Sequence, residues 1–168
     1  QRKAGVQGVF LEQLYTFGAP DRDPRTRVIT VAYYALVEAD KLRRRVGDSG
    51  DYQLATVLAD WKGEAGGVVR ACDADDKPLP LAFDHDQILG LVLKRLRGKL
   101  AYAPIGFELL PGRFTLRALQ TIHESIIDRQ LNKDSFRRRM LASGLIAPTG
   151  KYEEDVGHRP AELYRFKR

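Results

Sequence analysis

Apolar residues change their spacing partway along this chain. Through the first hundred positions they gather in short runs. The run Val9 to Tyr15 reads as a strand, and Val28 to Val37, VITVAYYALV, is the clearest strand of all. It is rich in β-branched and aromatic residues and apolar enough to be central in a sheet. Between the two lies GAPDRDPRTR, Gly18 to Arg27, a loop bearing proline, aspartate and three arginines. Tyr52 to Trp61 supplies a further candidate strand, and Gly63 to Lys77 reads as turns. A helix follows. Asp84 is placed as its N-cap, with Gln87 in capping-box position and Phe83 stapled onto Ile88. Its stripe Ile88, Leu89, Val92, Leu93 and Leu96 runs to Gly98.

Beyond Pro104 the apolar positions recur every three or four residues. Thr115 is an N-cap in this pattern, with Phe114 and Leu119 at staple spacing, and Leu116, Leu119, Ile122 and Ile126 make one face. A short link, Asp128 to Leu131, leads to a second cap, Asn132, and to KDSFRRRMLASG, which Gly144 ends. Two short helices with a tight link, the second carrying three arginines in a row, have the helix-turn-helix pattern. LIAPTG and AELYRFK then read as two strands around the polar tip KYEEDVGHRP, a wing.

Composition narrows the classes. The 168 residues hold one cysteine, Cys72, which excludes an internal disulfide and any cysteine-rich zinc site and makes a reducing cytoplasm the expected compartment. No apolar run reaches membrane-spanning length. The net charge is +6. Residues 103–168 carry 12 Lys/Arg against 8 Asp/Glu, net +4, so the excess lies mostly in the helical third, where a polyanionic partner would be met.

The candidate chemistry follows the same division. Phe136 and Met140, four apart, mark the buried side of the second helix, which turns Ser135, Arg138, Arg139 and Ala142 outward and leaves Arg137 on the flank. Guanidinium forks suit both phosphate oxygens and guanine edges. A DNA contact set is therefore expected at Thr115, Lys133, Ser135, Arg137, Arg138 and Arg139, with Lys151, His158 and Arg159 on the wing. Arg138 and Arg139 would read bases, and Lys133 and Arg137 would hold phosphates. A solvated basic helix is the competing reading. His85 reads as a surface residue, and His123 as a flank residue of its helix. The three histidines have no metal-ligand spacing, and Asp73, Asp75 and Asp76 lack the bidentate Glu of a calcium loop. No phosphate-binding glycine motif or nucleophile elbow occurs.

LEQLYTFGAPDRDPRTRVITVAYYALV and LAFDHDQIL resemble the sensor domain of the Nudix-related transcriptional regulators of NAD metabolism. FTLRALQTIHESIIDRQLNKDSFRRRMLASGLIAPTG and GHRPAELYRF resemble the winged helix-turn-helix of the same family. The resemblance implies an α+β chain. Residues 1–102 would be the C-terminal part of a Nudix-like α/β/α sandwich, and residues 103–168 a winged helix-turn-helix domain. It also places QRKAGV at the end of the Nudix helix, whose hydrolase pattern is R-E-x-x-E-E-x-G. Arg2 and Lys3 then stand where paired metal-binding glutamates belong. Hydrolysis needs those carboxylates to hold divalent cations. Two cations in their place would repel the metal yet tolerate a bound pyrophosphate.

The resemblance thus implies a regulator, a repressor by expectation, with no catalytic residues, no metal and no required cofactor, and with ADP-ribose or a related metabolite as its effector. Its partners would be a palindromic double-stranded operator and a second copy of the chain. For the effector, the first loop offers Tyr15 and Phe17 as apolar faces and Arg22, Arg25 and Arg27 as phosphate-binding cations, against a reading as core aromatics and locally paired arginines. An active ADP-ribose pyrophosphatase with an accessory helical domain is the alternative function, and a winged helix serving as a protein-interaction module is a third.

Overall fold

The computed structural model describes residues 9–47, 52–100 and 103–167. The chain divides into two compact units, Gln1–Gly98 and Lys99–Arg168. The positions expected to carry the degenerate metal site, Arg2 and Lys3, lie outside the described residues.

The first unit begins with an antiparallel hairpin, β1 (Phe10–Phe17) and β2 (Thr30–Leu36), in register from Phe10 opposite Leu36 to Phe17 opposite Thr30. An irregularity between Gln13 and Tyr15 inserts Leu14, which is buried. Leu14, Tyr34 and Leu36 turn inward, while Leu11, Tyr15, Val31 and Tyr33 are exposed. Among the described residues β2 pairs with β1 alone, so the central position expected of it is not realised there. Helix α1 (Ala39–Gly47) follows.

The third candidate strand, Tyr52 to Trp61, shortens to β3 (Thr56–Leu58). The stretch read as turns contains β4 (Arg70–Cys72), and β5 (Pro78–Leu79) completes an antiparallel sheet in the order β3-β4-β5. Such short strands carry too few residues for a period-two pattern, and pairing rather than local preference makes them. Asp73 closes the β4–β5 turn by accepting the Asp75 and Lys77 amides on one carboxylate oxygen.

Helix α2 (His85–Lys99) runs through Gly98 instead of stopping there. Its buried residues are Gly90 and Arg97, where an aliphatic stripe was expected. The cause is the loop over residues 61–68, which lies on the helix. A Cβ at Gly90 would come within 1.9 Å of the Gly67 carbonyl oxygen, so only glycine admits this approach. Arg97 donates to the carbonyls of Trp61 and Gly63 and stacks its guanidinium 4.6 Å from the Trp61 ring centroid.

In the second unit a 3-10 turn, Pro104–Leu109, precedes the two-residue strand β6 (Phe114–Thr115), α3 (Leu116–Ile127), α4 (Lys133–Ala142), β7 (Ile146–Tyr152) and β8 (Glu162–Phe166). The antiparallel sheet has the order β6-β8-β7. Phe114, Leu119, Phe136, Met140, Ile146 and Tyr164 form the core, with Phe107, Leu110, Leu116 and Leu131 packed against it. Each large apolar side chain so buried contributes about 1.5–3 kcal/mol. The six core residues come from five elements, so this one cluster fixes both helices on the wing.

Candidate nucleic-acid interface and effector loop

Both caps form as their sequences require. The Thr115 hydroxyl accepts the Ala118 amide at 3.1 Å, and the Asn132 side chain accepts the Ser135 amide at 2.9 Å. Between the helices Asp128 takes left-handed backbone at φ 52°. The link is then held by Glu124. Its Oε1 accepts the Leu131 amide at 2.8 Å and the Gln120 amide nitrogen at 2.9 Å, and that same nitrogen donates to the Leu131 carbonyl. These bonds, the Leu131 amide first, hold the Glu124 carboxyl below its ordinary range.

His123 was expected on a flank and is buried. It meets Phe136 edge-on with ring centroids 5.2 Å apart. Its pKa is pushed down to about 4, first by burial and then by the charge of Arg139. The polar surroundings of the sequence near His123 gave no sign of this, because α3 is packed on two sides.

Phe136 and Met140 are buried as expected, and every other residue of α4 is exposed. The flanks are occupied unevenly. Arg139 lies with its guanidinium 5.5 Å from the Phe136 ring centroid and acts on His123, so it stands on the α3 side and not at the centre of the outward face. Arg137 acts electrostatically on Tyr164 of β8, on the opposite flank. The outward surface is a concavity of about 580 Å³ lined by Asp134, Arg137, Arg138, Leu141 and Ala142. Asp134 and Leu141 did not stand out in the sequence, where the arginine triplet dominated.

Lys133 and Ser135 are exposed at the start of α4, and Thr115 is half-buried with its oxygen in the cap. The β7–β8 hairpin places Lys151 exposed near its tip, and His158 and Arg159 exposed in the turn. His158 Nδ1 lies 3.1 Å from the Arg159 carbonyl. The hairpin closes through Glu153, whose amide donates to the Ala161 carbonyl and whose carboxylate accepts the Ala161 amide.

The loop from Gly18 to Arg27 does not present its three arginines alike. Arg22 is largely buried and forks onto both carboxylate oxygens of Asp84, at 2.8 and 2.9 Å, and donates to Thr30 Oγ1. That pairing holds Asp84 below its ordinary range, and it takes the carboxylate expected to form the capping box. Arg25 forks onto Asp23, whose pKa falls to about 2 through those hydrogen bonds, and lies 4.8 Å over the Phe83 ring. Phe83 stands half exposed at φ 51°, which is not the geometry of a buried staple. Arg27 is exposed with no ion pair among the described residues. Tyr15 and Phe17 pack edge to face with centroids 5.4 Å apart. The described residues hold no group of three or more metal-ligating side chains, and none of their helices is long and apolar enough to cross a membrane.

Two capped helices on a three-stranded sheet with a protruding hairpin define a winged helix-turn-helix, the architecture of a nucleic-acid-binding domain. Residues 106–166 match the NrtR DNA-binding winged helix domain. Along 98% of its length the chain is 35% identical to the ADPR responsive transcriptional repressor NtrR of Acinetobacter baylyi, of which it covers 59%. It also superposes on Shewanella oneidensis NrtR complexed with a 27mer DNA, with a TM-score of 0.72 and 31% identity over 94% of this chain and 64% of that one. A MutT/nudix family protein from Enterococcus faecalis shares the fold at a TM-score of 0.63 and 22% identity, over 94% of this chain and 62% of that one. The chain is thus similar to NrtR proteins along most of its length and shares its fold with a MutT/nudix family protein, and it spans about three fifths of the length of these relatives.

Proposed function

We propose that this chain is the sensing and DNA-binding part of a cytoplasmic transcriptional repressor of NAD metabolism genes, released or engaged by ADP-ribose or a close relative of it. Residues 1–102 would sense the effector and residues 103–168 would bind the operator. The observation that carries this reading is the outward face of α4, where Arg138 is exposed and lines a concavity on a helix whose start is capped by Asn132. The likeness to an NrtR protein solved in complex with a 27mer DNA supports it. Arg138 would enter the major groove, with Lys133, Ser135 and Arg137 along the backbone, Arg139 at the groove edge, Thr115 at the start of α3, and Lys151, His158 and Arg159 on the flanking strand. A palindromic operator and a homodimer go together by symmetry. The exposed Leu11, Val31 and Tyr33 of the first hairpin support a contact between copies within the Nudix-like unit.

Arg2 and Lys3 in place of metal-binding glutamates would make the Nudix-like unit a sensor and not a hydrolase. Of the loop residues, Tyr15, Phe17 and above all Arg27, which makes no ion pair among the described residues, would meet the effector, while Arg22 and Arg25 would shape the loop around it. A mobility-shift titration against promoter DNA of NAD synthesis or salvage genes tests the reading. A specific shift that Arg138→Ala abolishes and ADP-ribose alters is expected. No specific shift, or turnover of ADP-ribose with Mg²⁺ at about one per second or faster, overturns it.

A further inference from the structure

Asp134 is the feature of α4 that a phosphate-binding role leaves unexplained. It lines the same concavity as Arg137 and Arg138, on the face proposed to meet DNA. Arg137 and Arg138 follow it by three and four residues, the spacings at which helix ion pairs form. Yet its carboxylate makes no ion pair or hydrogen bond among the described residues. The first-turn amide of Ser135 is already capped by Asn132. An unpaired carboxylate brought against a polyanion costs affinity, unless it meets a hydrogen-bond donor there. In the major groove the donors are the exocyclic amines of cytosine and adenine.

Resting on the DNA-binding reading, we infer that Asp134 is a specificity residue that accepts a hydrogen bond from a cytosine N4 amine. Cytosine is favoured over adenine because adenine sets its N7 lone pair beside the amine, and that lone pair repels a carboxylate. Guanine and thymine present acceptors at the matching positions and are rejected. Arg138 lies one turn further along α4, about 6 Å by helix rise, which is roughly two base steps of about 3.4 Å. The face therefore reads a cytosine and, about two steps away, a guanine. Leu141, exposed beside Arg138, offers an apolar contact for a thymine methyl between or next to them.

Selection from a randomised DNA pool with the full chain tests this, using wild type, Arg138→Ala, Asp134→Ala and Asp134→Asn. Wild type is expected to enrich one cytosine about two steps from a guanine whose enrichment Arg138→Ala removes. Asp134→Ala should flatten the cytosine preference by about ten-fold or more, while binding to unselected DNA stays equal or tightens. Asp134→Asn keeps size and helix start but carries both a donor and an acceptor, so the preference at that position should move to adenine. Unchanged base preferences in both Asp134 variants overturn the inference and leave the DNA-binding reading standing. A wild type that enriches no sequence overturns both.

Discussion

Arg22 and Asp84, sixty-two positions apart, form a forked ion pair whose side chains are 7% and 14% exposed. The pair ties the loop after β1 to the start of α2. Breaking it leaves one desolvated charge without its counter-charge, so Arg22→Ala and Asp84→Ala should each destabilise the chain by about 2–4 kcal/mol in urea titration. Because Arg22 holds the Asp84 pKa below its ordinary 3.8, this stabilisation is complete above that value. It is lost as pH falls through the lower folded-state pKa. The difference between wild type and Asp84→Asn should therefore shrink below about pH 4.

The same pairing separates the loop arginines by role. Arg27 is the one that a substitution can remove without disturbing an ion pair among the described residues. If it binds a phosphate of the effector, Arg27→Ala should weaken ADP-ribose binding by about 1.5 kcal/mol or more in calorimetry, with the melting temperature unchanged. Equal affinity would remove Arg27 from the pocket.

His123 makes the second unit sensitive to acid. Its pKa falls from an ordinary 6.5 to about 4 in the folded chain, so the unfolded chain takes up the proton first. Stability is complete above about pH 6.5 and declines as pH falls toward 4, by up to about 3 kcal/mol on that shift. His123→Leu should remove this slope between pH 4 and 6.5. Chemical denaturation followed across that range would show it.

Glu124 should be the most sensitive residue of the helix link. Glu124→Ala frees the Leu131 amide and loosens Gln120, and should cost about 1–3 kcal/mol. Glu124→Gln retains an acceptor and should recover part of the loss. In mobility shifts Glu124→Ala should lose specific binding more than non-specific binding, because helix placement serves base reading above charge.

Gly90→Ala brings a methyl group onto the Gly67 carbonyl, a backbone atom that cannot rotate away. The gain in helix propensity, about 1 kcal/mol, should be outweighed and the chain destabilised by about 2 kcal/mol or more net. Gly157→Ala, with open space around it, is the neutral comparison in the same thermal melts.

Legibility in the sequence followed the range of the interactions. The caps at Thr115 and Asn132 and the buried pair Phe136 and Met140 depend on residues within one helical turn, and they were readable. Strand β6 exists only through Tyr164 and Leu163, about fifty residues on, and was not. The ion pair of Arg22 was not legible because Asp84 is far away in sequence. The burial of Arg97 was not legible because its acceptors are carbonyls of a distant loop, and a carbonyl is a property of every residue. In α4 the count of arginines was plain, but their flanks were set by Phe136 and by β8.

The stack of Arg97 on Trp61 also has an optical consequence. Trp61 is the sole tryptophan of the chain, half-buried, with its indole N–H donating to the Val68 carbonyl. A cation on the ring and a hydrogen bond at the nitrogen both set the emission of an indole. The first unit therefore carries a built-in fluorophore seated on the loop that crosses α2. Ultraviolet excitation selective for tryptophan reports the state of that loop in the unlabelled protein, with no competing tryptophan from the winged helix.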